Sequence, residues 1–303
     1  MRILEVGHRG GVSKVAYGRE GRQLIAVADG RFVIWSLESF ERDRVLPPSI
    51  PTYSALACLF IPGGRAFLEA NGYWRAGDDL PHIPRLTLEH TGHLGNLTKQ
   101  TGFLCFAHDG RSFLRESYGQ TWQSPNRIAL WDLMYNCVRT YPQAGASSPA
   151  YAAFSSDGSL LALGGQGYTT TVGIWDAISR EPIIELEHTD QIFGLTFSPD
   201  GRRLATSAGR TVRIWSVPEG KSLHKFPAFR AYTECRAFSP DGTMLVAGSR
   251  EGRVRIWEVE SGRELSDHNW QQGDVSDVAF SPDGLTAAAA CRKQAVVVWD
   301  VDI

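Results

Sequence analysis

Apolar and polar residues alternate along most of the chain in short runs, and no long stretch has the three-to-four-residue recurrence of an amphipathic helix. Runs such as Val212-Arg213-Ile214-Trp215, Val254-Arg255-Ile256-Trp257 and Val296-Val297-Val298-Trp299 are rich in β-branched and aromatic residues and predict strands. Between such runs a turn signal returns seven times, at residues 17–21 (YGREG), 60–64 (FIPGG), 106–110 (FAHDG), 154–158 (FSSDG), 197–201, 238–242 and 280–284 (FSPDG in the last three). An aromatic ends one strand, proline fixes φ, aspartate bonds its own backbone and glycine takes a positive φ, so each copy predicts a hairpin. The leading aromatics stand 43, 46, 48, 43, 41 and 42 residues apart.

That spacing is the length of a four-stranded propeller blade. The chain is therefore expected to be all-β, a seven-bladed β-propeller of four-stranded antiparallel blades forming a single domain over residues 1–303. The motifs resemble those of the WD-repeat family across essentially the whole chain, most specifically in the last three copies and least in the second. The resemblance implies a tryptophan on the third strand of each blade, at Trp35, Trp131, Trp175, Trp215, Trp257 and Trp299. In the second copy the pattern places Gly77 there, with Trp74 filling the space from elsewhere.

Four residues follow Trp299, too few for an outer strand, whereas Ile3-Leu4-Glu5-Val6-Gly7-His8 reads like the segment ending Ile184-Glu185-Leu186-Glu187-His188. Residues 1–6 are accordingly expected to pair with the strand around Val296 and Trp299, burying Ile3, Leu4 and Val6. This closes the ring and makes the propeller complete and free-standing. The family's His, Ser/Thr, Asp, Trp tetrad is incomplete in every blade. The first offers His8, Asp29 and Trp35 with Val27 in the hydroxyl place; the fifth offers His188, Ser207 and Trp215 with Gly209 for Asp; the sixth offers Ser249 and Trp257 with Glu251. Backbone carbonyls or water are left to serve the indoles, and apolar packing to carry more of the stability.

A formal charge of −2 and a pI near 6.5 give no basic footprint for nucleic acid and no polybasic stretch for a membrane. The N-terminus lacks a signal-peptide pattern, and no 18-residue apolar segment occurs. Cys58, Cys105, Cys137, Cys235 and Cys291 are odd in number and never spaced as CxxC, so reduced thiols and a cytoplasmic location are expected. Asn96-Leu97-Thr98 is read as a chance sequon.

Catalytic signatures are absent: there is no GxSxG, P-loop or strand-to-helix GxGxxG. Ser222-Leu223-His224-Lys225 matches SxxK but falls in a predicted outer strand. His82, His90 and His93 near Asp78 and Asp79 could ligate a metal, but two of them stand where the family's structural His belongs. No cofactor and no resident metal are expected.

Function is expected on the face that carries the second-to-third-strand and blade-to-blade loops. The longest of both kinds meet at the third blade, over residues 91–101 and 116–126, where Tyr118, Trp122 and Pro125 are typical interface anchors. The family's loop positions add Gln191, Phe193, Tyr232, Glu234, Asp274 and Ser276 at first-strand starts, and Tyr168, Arg250 and Arg292 in the turns. The expected role is a non-catalytic, monomeric scaffold that docks a protein or peptide. The alternatives are a small-ligand or enzymatic site at the channel mouth, or nucleic-acid binding through Arg250, Arg253, Arg255 and Arg292, which are sparse for that purpose.

Overall fold

The computed structural model describes residues 1–7, 11–18, 20–28, 31–46, 59–60, 66–69, 72–75, 103–106, 112–117, 127–132, 137–141, 151–164, 170–227 and 229–301. Within them the chain is all-β, without a helix, and every neighbouring pair of strands is antiparallel. Sheet one holds Val12–Tyr17, Gln23–Ala28, Arg31–Ser36 and Arg42–Leu46 in that order. Sheet two has three strands among the described residues, Leu59–Phe60, Ala66–Glu69 and Gly72–Arg75. Sheet three runs from Phe103–Phe106 to Cys137–Tyr141, sheet four from Tyr151–Phe154 to Pro182–Glu187, sheet five from Ile192–Phe197 to Ser222–Pro227, and sheet six from Thr233–Phe238 to Glu264–Asn269. Sheet seven takes Val275–Phe280, Thr286–Cys291 and Ala295–Asp300 from the end of the chain and Arg2–Glu5 from its beginning.

This last pairing is the one expected from the sequence, with Arg2 opposite Val298 and Leu4 opposite Val296. Leu4 and Val6 are buried in a cluster that joins sheets seven and one, whereas Ile3 is 43% exposed. Successive side chains of a strand point to opposite faces, so Ile3 and Leu4 cannot share one fate. Arg42 Nη2 holds the segment by donating to the Glu5 carbonyl at 2.8 Å, and the Arg2 guanidinium lies 3.8 Å above the Phe40 ring.

The turn motif does two jobs. In sheet five Ser198 Oγ donates to Asp200 Oδ1 at 2.5 Å and accepts from the Arg203 amide at 2.9 Å, closing the hairpin; Ser239–Asp241 and Ser281–Asp283 repeat the bond. Each proline also packs on the next sheet's motif. The Cδ atoms of Pro199, Pro240 and Pro282 stand 3.5, 3.6 and 3.5 Å from the place of a Cβ on Gly242, Gly284 and Gly21. The first strands pack in the order of sheets three, four, five, six, seven and one.

Two sequence alignments are corrected by strand register. Trp35, Trp175, Trp215, Trp257 and Trp299 are buried, and Trp35, Trp215 and Trp257 stand opposite Leu24, Leu204 and Leu245, three residues after their motif glycines. In sheet two the equivalent residue, Phe67, pairs with Trp74, so Trp74 rather than Gly77 holds the family position. The ladder there turns between Glu69 and Gly72, which shortens the loop the alignment assumed. In sheet five the tetrad hydroxyl is Thr206, not Ser207: Trp215 Nε1 donates to Thr206 Oγ1 at 2.9 Å, and His188 Nε2 lies 2.8 Å from the same oxygen. Ser207, on the other face of the strand, meets Arg236 instead.

Candidate interaction face

Four first strands carry a register shift at one place, between Val12 and Lys14, Ile192 and Gly194, Thr233 and Cys235, and Val275 and Asp277. The extra residue, Ser13, Phe193, Glu234 or Ser276, leaves the ladder, and a bulge of this kind re-aims its side chain. Backbone bonds tie the neighbouring turns to the same end of the sheets. The Gly209 amide donates to Gln191 O at 2.9 Å, the Arg250 amide to Tyr232 O at 3.0 Å and the Arg292 amide to Asp274 O at 2.9 Å. Positions read separately from the sequence are thus bonded in pairs.

Four of the site candidates converge. The Phe193 and Tyr232 rings lie 4.9 Å apart at 33°, and the Arg250 guanidinium sits 5.8 Å from the Tyr232 centroid while its Nε donates to Glu234 Oε1. Tyr232 is 48% exposed, so the group presents an aromatic ledge with its charges already paired. Asp274 and Arg292 form a looser exposed pair at 3.8 Å, and Gln191 contributes its backbone. Ser276 Oγ is used internally, donating to Val12 O at 2.5 Å and so joining sheet seven to sheet one. Tyr118, Trp122 and Tyr168 lie outside the described residues, as do His82, His90 and His93.

The four arginines considered for nucleic acid each face a carboxylate. Besides Arg250 and Arg292, Arg253 Nη1 lies 3.1 Å from Asp267 Oδ2, and Arg255 lies 3.1 Å from Asp267 and 3.6 Å from Glu264. Exposed pairs of this kind stabilise by at most about 1 kcal/mol, but they leave little unneutralised charge for a phosphate chain. Among the described residues no three His, Cys, Asp or Glu side chains gather as metal ligands, and no helix is long and apolar enough to cross a membrane.

Sequence reading missed Arg236. It occupies the place held in sheets one, five and seven by the buried Val15, Leu195 and Val278. Its Nη1 donates to Ser207 Oγ at 2.8 Å, to Phe193 O at 3.3 Å and to Glu234 O at 3.4 Å, while the buried Nε has no partner among the described residues. Burial pushes its pKa below the usual arginine value. The available signal was a cation at an apolar position of a period-two strand.

Three successive segments, residues 180–216, 220–258 and 260–300, match the family model described as WD domain, G-beta repeat. An uncharacterized WD repeat-containing protein of Synechocystis sp. is 28% identical over 203 residues, covering 65% of this chain and 54% of its own length. Autophagy-related protein 18 of Schizosaccharomyces pombe is 32% identical over 121 residues, 38% of this chain and 31% of that protein. The small ribosomal subunit protein RACK1y of Oryza sativa subsp. japonica is 29% identical over 133 residues, 41% of this chain and 39% of its own. The matched stretches thus span about half or less of these relatives.

Proposed function

Since this chain is a WD-repeat protein, we propose that it is a non-catalytic scaffold whose sheets form a seven-bladed ring and whose bulged end docks a protein or peptide. The observation that carries this reading is the ledge of Phe193, Tyr232, Glu234 and Arg250, which joins exposed aromatic area to a pre-set arginine. Tyrosine and arginine are the side chains that most often anchor interfaces, because they lose little entropy for the area they bury. Repeat relatives named for autophagy and for the ribosome support a binding role without specifying the partner. The buried free thiols of Cys235 and Cys291, the first of which burial lifts above the range of ordinary thiols, favour a reducing compartment such as the cytoplasm.

The test is affinity capture from the native host's lysate with wild-type protein and the Phe193→Ala/Tyr232→Ala variant. Loss of an interface aromatic commonly costs 2 kcal/mol or more, roughly thirtyfold in affinity. The expected result is loss of the captured partner with cooperative melting retained. Undiminished capture by the variant removes this face as the docking site.

A further inference from the structure

We propose that Arg236 is the base of a carboxylate-binding subsite beneath the aromatic ledge, taking an acidic side chain of the docked peptide; this rests on the docking reading above. A buried guanidinium is ordinarily neutralised by a carboxylate, because transferring an unpaired charge out of water is costly. Here the surrounding carboxylates are engaged elsewhere. Glu234 pairs with Arg250 and Asp274 with Arg292. Asp277 lies 3.7 Å from Lys14 Nζ and accepts the Val15 amide at 3.1 Å. Among the described residues Arg236 is left with three neutral oxygens, all of them on Nη1.

The guanidinium packs directly on the Gly194 backbone. A Cβ on Gly194 would lie 1.8 Å from Nη2 and 2.1 Å from Nη1, so the guanidinium lies over the one residue type that admits it. Arg236 is only partly buried as a residue, whereas its Nε is fully buried. Two of its three acceptors are the carbonyls of Phe193 and Glu234, the bulged residues whose side chains build the ledge. An anion on this arginine therefore sits next to whatever the ledge holds. A single positive charge with planar N–H donors matches a carboxylate in both charge and shape.

The full chain is melted in sodium acetate and in sodium chloride at matched ionic strength and neutral pH, with the arginine Nε–H resonances followed in the same titration. The expected result is a saturable rise on the order of 2 °C in acetate over chloride, with one Nε–H resonance moving in step. Both responses should vanish in Arg236→Gln and persist in Ser207→Ala, which keeps the charge. Identical melting in the two salts with no saturable resonance shift overturns the subsite.

Two capped peptides that differ only in Glu for Gln then separate the sources of the carboxylate. Preferential displacement of acetate by the Glu peptide supports the peptide assignment; an acetate response without that preference overturns it in favour of a free small acid. Capture that is lost in the Phe193→Ala/Tyr232→Ala variant, with no acetate response, leaves the docking face standing and sinks the subsite. An Arg236-dependent acetate response with capture indifferent to the ledge does the reverse.

Discussion

Thr206 links three side chains into one directed chain. The Leu186 carbonyl can only accept, so His188 Nδ1, 3.2 Å away, carries the proton; Nε2 then accepts from the Thr206 hydroxyl, which accepts in turn from Trp215 Nε1. Equivalent positions in other sheets hold Ala26, Leu163, Ala247 and Ala289, and there the Trp175 and Trp299 Nε1 atoms are buried without a hydrogen-bond partner among the described residues. Thr206→Val is therefore expected to cost roughly 2–4 kcal/mol, since it strands two buried groups, and Thr206→Ser far less. Trp215→Phe should also cost more than Trp299→Phe, a comparison that denaturant titration settles. Acid should act at the same point. Burial first, and Arg213 second, lower the His188 pKa from 6.5 to about 4. The unfolded chain binds the proton first, so His188 stabilises the fold above pH 6.5, and its contribution falls away as the pH drops toward 4. The difference in unfolding free energy between wild type and His188→Gln should shrink by about 3 kcal/mol over that window; a difference that stays constant with pH refutes the assignment.

At the level of the strand, Arg2–Glu5 shows how far pattern reading reaches. Its pairing was legible because an outer strand is missing after Trp299 while the surplus segment before the first motif reads like Ile184-Glu185-Leu186-Glu187-His188, where another sheet's outer strand ends. Its facing was misread at Ile3, because an apolar residue on an outer strand need not point inward. Leu4→Ala should thus cost about 2–4 kcal/mol and Ile3→Ala under about 1 kcal/mol. Equal losses in chemical denaturation would contradict the register. Trp74 and Thr206 were misassigned for a related reason: counting residues presumes equal loops, whereas the Glu69–Gly72 turn is short and a strand's alternate residues face opposite ways.

For the molecule as a whole, period and turn chemistry sufficed for an all-β repeat, since each hairpin is coded locally, by Ser, Pro, Asp and Gly in the last three copies and by related turn residues in the others. Phe193, Tyr232, Glu234 and Arg250 were legible one by one from their loop positions, but not as a group. Their meeting depends on bulges and on bonds between adjacent sheets, which no single repeat encodes. Arg236 showed in the sequence only as a cation at an apolar strand position, since two of its three partners lie 29 and 43 residues away along the chain.

The N-terminal strand carries a consequence for biosynthesis. Arg2–Glu5 is translated long before its partner, Ala295–Asp300. A nascent chain must therefore carry Leu4 and Val6 uncovered until that partner has been made, and the pairing closes a loop of all the residues between the two strands, a slow step by its entropy. Ribosome-stalled chains lacking Ala295–Asp300 should leave residues 1–6 open to limited proteolysis, whereas in the finished protein they should be protected. A circular permutant that fuses Ile303 through a short linker to Met1 makes the pairing local. Its refolding should be faster than that of the parent chain in stopped-flow measurements, with the melting temperature little changed.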